Sequence, residues 1–262
     1  MDYKDPKNKP HFIRFKNNCI KELDDMIDTT VSSDYKKAVN LTYWIRDYKK
    51  YLKQEKTFRP VYPPVYKYGA VVEINLGFRV GSEFGGLHYG IVVNKNDKKI
   101  SPTLTIIPMR SVEKKIHYTE LDLGDEFYNL ARSKVTLLVE QYEEMQKNFN
   151  CEAVQIKDQI QHIRSRPIVI EDENRVDELT RKVESLTRQG KEISSKIDDL
   201  KNGLKRVSKL KNGSLALPNQ ILTISKMRVK DPLSERDTLY NITLSKTTME
   251  KLKNKFHTIY FD

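Results

Sequence analysis

An apolar seam in the second half of the sequence most strongly limits what this chain can fold into. Its members alternate steps of three and four residues, which is the spacing of a coiled coil. Only Gly190 interrupts the seam. If the stripe were exposed to water, each residue would lose about 1.5 to 3 kcal/mol of hydrophobic burial free energy, so the stripe must be buried against a partner. The seam residues are Val176, Leu179, Val183, Leu186, Ile193, Ile197, Leu200, Leu204 and Val207.

An earlier apolar stripe supplies that partner on the same chain. It runs at helical spacing from Leu138 to Ile163, and a break is predicted at Arg166-Pro167 because the residue before a proline avoids the helical conformation. A short turn makes a hairpin cheaper in entropy than recruiting a second molecule. We therefore expect residues 138–212 to form a projecting antiparallel coiled coil, roughly 35 to 50 Å long. Its interleaved acidic and basic residues favour a solvated arm that serves structure or interaction. The rest of the chain, a small barrel, is expected to fold when residues 140–210 are replaced by a short Gly/Ser linker.

The first 60 residues predict a separate helical extension. Apolar residues recur at helical spacing from Phe15 to Glu55, with a break at residues 31–34, so we expect a helical hairpin. Trp44 is interpreted as its core anchor. Pro60, Pro63 and Pro64 then prevent the helix from continuing and supply a stiff linker.

The spacing of apolar residues changes to a period of two in residues 61–137, where short β-branched runs predict strands. The predicted strands start at Gly69, His88, Leu104 and Lys115. Closing them into a small barrel would remove the exposed edges of the sheet. Residues 213–262 return to this core with a fifth predicted strand, Leu215 to Val229, and a final helix, Asp237 to Tyr260. The fold class expected is α+β, with the coiled coil inserted into the β core.

The charge balance favours a polyanionic partner. The formal net charge is +11, and each phosphate that Lys or Arg neutralises releases condensed counterions. Cys19 and Cys151 lie far apart without metal-ligand spacing around them, so we expect neither a disulfide nor a bound metal or other cofactor. No apolar run approaches the roughly 20 residues of a membrane span, and the first ten residues are polar, so a cytoplasmic protein without membrane contact is expected.

Three segments carry motifs in a recognisable order. Tyr68 to Val93 contains two strands and a glycine-rich loop with the sequence GSEFGG, residues 101–108 form the next strand, and Asn219 to Arg228 contains a Q-I-x-T-I-x-x-x-R pattern. Together they resemble the MazF/PemK family of type II toxins. The resemblance covers about half of the chain and leaves residues 1–60 and 138–212 unaccounted for.

The resemblance implies a small, strongly curved β-barrel with outer helices, a fold shared with gyrase poisons of the CcdB type. It also implies a homodimer whose barrels form an RNA groove. The activity implied is that of a toxin: sequence-specific, metal-independent cleavage of single-stranded RNA, held in check by an antitoxin whose acidic tail would fill the groove. Because fold alone does not settle activity, a noncatalytic module that binds nucleic acid or a partner such as gyrase is the alternative.

Metal-free RNA cleavage needs a base, an acid and a donor for the phosphorane charge. His88 is the candidate for proton transfer, since imidazole titrates near neutrality. The family usually has Arg at that place and a hydroxyl after the third strand's proline, whereas here Arg110 and Ser111 follow Pro108 and Met109. Arg110 would then brace the phosphorane and Ser111 would donate a further hydrogen bond. Two alternative interpretations remain. His88 begins a strand and has no catalytic role, or these departures from the family pattern mark a degraded nuclease that still binds RNA.

The remaining candidate residues lie in the glycine-rich loop and at the third motif, and the resemblance implies RNA contact for them. Arg79 is interpreted as a phosphate or base contact, with a solvated cation as the alternative. For Glu83 a structural role, accepting backbone N–H bonds in the loop, is favoured over RNA contact. The predicted RNA-binding set is Arg79, Ser82, Glu83, Gly85, Gly86 and Gln220.

Overall fold

The computed structural model describes residues 2–112, 115–165 and 170–262. Over these residues the protein combines one antiparallel sheet with five α-helices, which confirms the α+β class. The break predicted at Arg166-Pro167 lies outside the described residues. None of the helices in the described part of the chain has both the length and the apolar character needed to cross a bilayer.

The N-terminal hairpin consists of α1 (Lys9–Ser33) and α2 (Tyr35–Gln54), so α1 begins before the predicted start at Phe15. The chain reverses at Asp34, whose carboxylate accepts a hydrogen bond from the Lys37 backbone N–H at 3.0 Å. Such a cap satisfies one of the free donors at a helix N-terminus. The proline-containing segment after α2 then leads into the sheet.

The sheet contains seven strands. They are β1 (Val71–Asn75), β2 (Leu87–Val92), β3 (Thr103–Ser111), β4 (Leu121–Asp122), β5 (Ser214–Ala216), β6 (Leu222–Ser225) and β7 (Val229–Asp231). Their order is β4-β5-β3-β2-β1-β7, and β6 pairs with β3 beside β5.

Two strand predictions are wrong in detail. The strand expected over Lys115 to Leu123 is reduced to β4, because the chain turns at residues 118–119 and Glu120 N–H bonds back to the His117 carbonyl. The single strand expected over Leu215 to Val229 is three strands, divided by 3-10 turns at Pro218–Gln220 and Lys226–Arg228. Pro218 cannot donate to a strand ladder, which explains the first division.

The connection from β6 to β7 shows that the sheet is strongly curved. In a flat sheet β6 and β7 would lie four strand spacings apart, about 19 Å. The 3-10 turn that joins them has only three residues, Lys226–Arg228, and spans about 6 Å at the rise of such a helix. The sheet must therefore curl until its two sides approach each other.

Alternate residues of the central strands feed two separate cores. Val71, Ile91 and Ile107 face the helices, together with Phe127 of α3 and Leu252 of α5. The residues next to them in the strands, Val72, Val92 and Ile106, point to the other face of the sheet, where they pack with Tyr66, Leu104 and Val229. This second core set is Tyr66, Ala70, Val72, Ile74, Leu76, Val92, Leu104, Ile106, Ile224 and Val229. The two-residue alternation of a strand explains why adjacent positions enter different cores.

The arm consists of α3 (Glu126–Arg164) and α4 (Ile170–Val207). It is antiparallel, because Glu143 pairs with Lys201 at 3.3 Å while Glu152, further along α3, pairs with Lys182 at 2.8 Å.

The boundaries of the arm differ from the predicted 138 and 212. The helix α3 begins at Glu126, and its first turns bury Phe127, Ala131 and Val135. At the other end of the arm, Val207 and Leu210 belong to the core that lies between the sheet and the helices. The helices thus start inside the core, and only their distal parts form a separate arm.

The C-terminal helix α5 (Lys246–Tyr260) is shorter than predicted. Its N-cap is Ser245, whose side chain accepts from Thr248 N–H at 3.2 Å. The preceding segment, predicted as helix from Asp237, is irregular and bridges to the sheet through Ala70 and Thr243. That bridge fixes an extended backbone at Thr243, which stops the helix from starting earlier.

Candidate functional site

The glycine-rich loop between β1 and β2 is folded back tightly on itself. Gly86 N–H donates to the Gly77 carbonyl at 2.8 Å, and the Arg79 guanidinium donates to the Leu76 carbonyl at 3.1 Å. A Cβ on Gly85 would lie 2.7 Å from the Gly77 carbonyl oxygen, so only glycine fits there. The loop is therefore held in one shape by its own backbone.

One side of this loop borders a cleft of about 210 Å³. The loop, the end of β3, the turn before β4 and the 3-10 turn after β5 each contribute to it. Phe84 N–H donates to the Gln220 side chain at 3.4 Å and so joins the loop to the last of these turns. The cleft is lined by Ser82, Phe84, Arg110, His117, Thr119, Glu120, Leu217, Asn219 and Gln220.

Arg110 and Glu120 form a two-pronged ion pair in this cleft. The guanidinium Nε and Nη2 each donate to one carboxylate oxygen at 2.8 Å, and Nη1 donates to the Ser111 carbonyl at 3.0 Å. The hydrogen bonds from Arg110 hold the pKa of Glu120 below its ordinary value, although burial opposes the shift. Glu120 is consequently a carboxylate at neutral pH.

His117 stands beside this pair. Its backbone N–H donates to Glu120 at 2.8 Å, and its Nδ1 lies 2.9 Å from the buried Thr119 hydroxyl. That contact orients the imidazole, while the residue as a whole stays exposed. An imidazole, a carboxylate and a guanidinium therefore meet in one open cleft.

His88 lies outside this cleft. It lines a larger groove, and Phe84 packs its ring against the imidazole with centroids 4.1 Å apart while lining the small cleft. Burial lowers the pKa of His88, and a hydrogen bond to the Gly85 backbone partly offsets the shift. His88 and Arg110 thus end neighbouring strands yet face different cavities.

The larger groove has a volume of about 1090 Å³ and separates the N-terminal hairpin from the other side of the glycine-rich loop. Aromatic residues Tyr43, Trp44 and Phe78 line it together with four cations. Two of the cations are paired: Arg79 lies 3.7 Å from Glu83, and Arg206 lies 3.3 Å from Glu73. The groove cations are Lys37, Arg79, Arg206 and Lys230.

The predicted site residues thus divide between two cavities. Ser82, Arg110 and Gln220 line the small cleft, whereas Arg79, Glu83, Gly85, Gly86 and His88 line the groove. Ser111 lies in β3 opposite Ser214. The Glu83 carboxylate contacts Arg79, so its observed partner is a side chain and not the backbone N–H groups that were expected.

Sequence reasoning missed His117, Thr119 and Glu120. In the strand predicted for this segment, residues three apart point to opposite faces, so His117 and Glu120 would not meet. The turn at residues 118–119 brings them together. The available signal was the His-x-x-Glu spacing shortly after the strand that contains Arg110.

Within the described residues no group of three or more His, Cys, Asp or Glu side chains could hold a metal ion. The sequence matches no protein-family model and no curated protein.

Proposed function

We propose that this protein is a metal-independent endoribonuclease that acts on single-stranded RNA, as a toxin of the MazF/PemK type. The observation that carries the proposal is the cleft in which Arg110, His117 and Glu120 meet. These three side chains are the base, acid and cation that RNA cleavage requires without a metal. The curvature of the sheet and the meeting of the motif-bearing segments around the cleft add support.

In the proposed reaction Glu120 accepts the proton of the ribose 2′-OH, and the 2′-oxygen attacks phosphorus. Although Glu120 accepts the three hydrogen bonds described from Arg110 and His117, a carboxylate offers about four lone-pair sites. The imidazole of His117 gives a proton to the 5′-oxygen as the phosphorus to 5′-oxygen bond breaks. The Arg110 charge stabilises the phosphorane, to which the second N–H of Nη1 and of Nη2 can donate while the other three N–H groups hold Glu120 and the Ser111 carbonyl. The products are a 2′,3′-cyclic phosphate and a 5′-hydroxyl.

The larger groove gives this reaction a substrate path. The glycine-rich loop forms a wall of both cavities, so a strand with its reacting phosphate in the cleft can continue into the groove. Aromatic rings and cations are the groups that bind single strands, by stacking and by neutralising phosphates. His88 and Arg79 then contact RNA, and an acidic antitoxin segment would occupy the same groove.

Cleavage of a long single-stranded RNA in EDTA tests the proposal. We expect discrete products ending in 2′,3′-cyclic phosphate. His117→Ala, Glu120→Gln and Arg110→Ala should each lower the single-turnover rate by at least about 10²-fold, the usual cost of losing a proton-transfer group or a transition-state donor. His88→Ala should weaken RNA binding and change the rate at saturation far less.

His257→Ala and Glu250→Gln serve as matched controls, because both residues lie exposed on α5. Wild-type rates in the His117 and Glu120 variants would rule out this cleft as the active site. A loss of rate confined to His88→Ala would move the chemistry to the groove. RNA binding without cleavage by the wild-type protein would support the noncatalytic alternative.

A further inference from the structure

Within the described residues, the first half of α1 packs on no other α-helix, and the Tyr3 ring lies against it, 5.7 Å from the Phe12 ring and 5.4 Å from the Phe15 ring. Every residue from 9 to 22 is exposed, and the half-buried contacts with α2 begin at Leu23. An isolated helix of about this length is marginal in water. The segment nevertheless carries large apolar side chains, including Phe12, Phe15 and Ile20, with 43%, 50% and 60% of their surfaces exposed.

These apolar residues continue the seam that α2 covers further along. Ile13, Ile20 and Ile27 recur at every seventh position, which is the repeat of a coiled coil. Ile27 is half-buried in the hairpin, whereas Ile13 and Ile20 are open. This face of α1 thus has the apolar spacing of a helix-packing surface along its whole length, but α2 covers only its second half.

The charges of α1 are divided between its two halves. Residues 9–21 contain Lys9, Arg14, Lys16 and Lys21 and no acidic residue, while residues 22–33 contain Glu22, Asp24, Asp25 and Asp28 and no basic residue.

The helix α2 cannot match the basic half. Because the chain reverses at Asp34, this half of α1 runs back toward the C-terminal end of α2, which carries Lys49, Lys50 and Lys53. Like charges on neighbouring helices repel each other. The partner that fits the basic half must therefore bring an acidic helix with an apolar seam.

We propose that this partner is α1 of a second copy of the chain, packed antiparallel. In that arrangement the basic half of each helix lies against the acidic half of the other, and the exposed apolar side chains of the basic half face Met26 and Val31, which are exposed in the acidic half. A heterologous partner would need both features together, and α1 itself has them. Of the α1 residues, Met26 and Thr30 line the large groove and none lines the small cleft, and the proposal does not depend on the proposed nuclease activity.

Cys19 lies exposed near the middle of α1 and reports on this contact. In a Cys151→Ser background, a short bis-maleimide reagent should link two full-length chains through Cys19, and light scattering at micromolar concentration should give at least the mass of a dimer.

Two charge-reversed variants make the test specific. The first carries Asp24→Lys, Asp25→Lys and Asp28→Lys, and the second carries Arg14→Glu, Lys16→Glu and Lys21→Glu. Each variant alone should cross-link at least about tenfold less than the parent, because α1 then bears predominantly one sign of charge, with Glu22 as the remaining anion in the first variant and Lys9 as the remaining cation in the second. An equal mixture of the two should recover the cross-link.

A control variant reverses Glu173, Asp177 and Glu178 of the arm to Lys, which changes the net charge by the same amount as the first variant. This control should cross-link like the parent. A monomeric parent protein, a cross-link indifferent to the reversals, or a mixture that fails to recover it would each overturn the proposal. Recovery in the mixture also shows that neither variant fails merely by misfolding.

Discussion

Two carboxylates of this protein are withdrawn from water in different ways. Asp97 and Lys226 form a fully buried ion pair at 2.8 Å, and Asp97 also accepts the Tyr66 backbone N–H at 3.0 Å. Asp231 accepts the Leu239 backbone N–H at 2.9 Å but forms no direct ion pair within the described residues, and burial, with help from the nearby Asp237 and Glu73 carboxylates and opposed by Arg206, raises its pKa to about 6. A buried carboxylate without a directly paired cation lowers stability at neutral pH.

Asp231→Asn should therefore stabilise the protein at pH 7, by roughly 1 to 3 kcal/mol. The amide keeps an acceptor for Leu239 and removes the buried charge. Because the folded-state pKa is raised, the favourable contribution of the protonated wild-type carboxyl is complete below about pH 4 and is lost as the pH rises through 6.

Urea unfolding at a series of pH values measures this difference, with Glu250→Gln on the surface of α5 as control. We expect the gain from Asp231→Asn to shrink as the pH falls and to vanish near pH 4. A variant less stable than wild type at pH 7, or a gain independent of pH, would contradict the burial argument.

Among the elements, α3 and α4 each serve two purposes. Their basal turns bury Phe127, Ala131, Val207 and Leu210 in the core, whereas their distal turns pack mainly on each other. Glu143 and Lys201 pair between the helices just beyond the base. A cut placed beyond that pair separates the arm from the sheet and its core.

Replacing residues 146–195 with a short Gly/Ser linker should leave a folded protein that still cleaves RNA, because the core contacts and the cleft remain. Replacing residues 140–210 should instead give an unstable or insoluble protein. The second change removes Val207 and Leu210, and losing a large buried side chain costs about 2 to 5 kcal/mol.

Thermal melting and the EDTA cleavage assay distinguish the two deletions. Folding of both would show that the base of the arm is dispensable, as the sequence alone suggested. A folded but inactive variant with the shorter deletion would mean that the arm contacts the substrate.

At the scale of the whole molecule, a group of contacts made by α2 joins the N-terminal hairpin to the sheet region, and Lys230 lies 5.2 Å from the Tyr51 ring in one of them. Trp44 is the sole tryptophan of the chain, and its ring lies against Gly77, with the Arg228 guanidinium 5.4 Å from its centroid. The neighbouring Asp47 accepts a hydrogen bond from Asn75 at 3.1 Å. Trp44, Gly77, Asp47 and Asn75 all line the large groove, so these contacts form part of its wall.

Gly77→Ala should loosen the hairpin, since a Cβ there would lie 2.7 Å from the Trp44 ring. We expect the tryptophan fluorescence to shift to the red as the indole becomes wet. The matched control is Gly81→Ala. Both glycines have positive φ, +79° and +60°, so both substitutions cost about 1 to 2 kcal/mol of backbone strain. Of these two glycines, Gly77 has a neighbour within 4 Å of the added Cβ and Gly81 has none among the described residues.

The two emission spectra, recorded under native conditions, decide the point. A red shift in Gly77→Ala with an unchanged spectrum in Gly81→Ala supports docking through Trp44. Identical spectra for both variants and the wild type would show that the hairpin is held elsewhere.

The sequence by itself determined the parts of the fold that depend on local spacing. The seam from Val176 to Val207, the hairpin around Asp34 and the strands β1 to β3 follow from the three-four and two-residue periods, because each buries one face of one element. Arg110 was predicted as a site residue from the family resemblance, by its place after Pro108 near the end of the third strand.

Tertiary structure alone decided where the arm begins and which groups share a cleft. The helix α3 starts at Glu126, since packing on the sheet continues the helix beyond the region where a coiled-coil seam can be read. His117 and Glu120 meet Arg110 because a turn replaces the expected strand, and the charge of Arg110 stabilises the carboxylate there. Such contacts between distant segments depend on where the folded chain places each side chain, and neighbouring residues in the sequence do not encode that position.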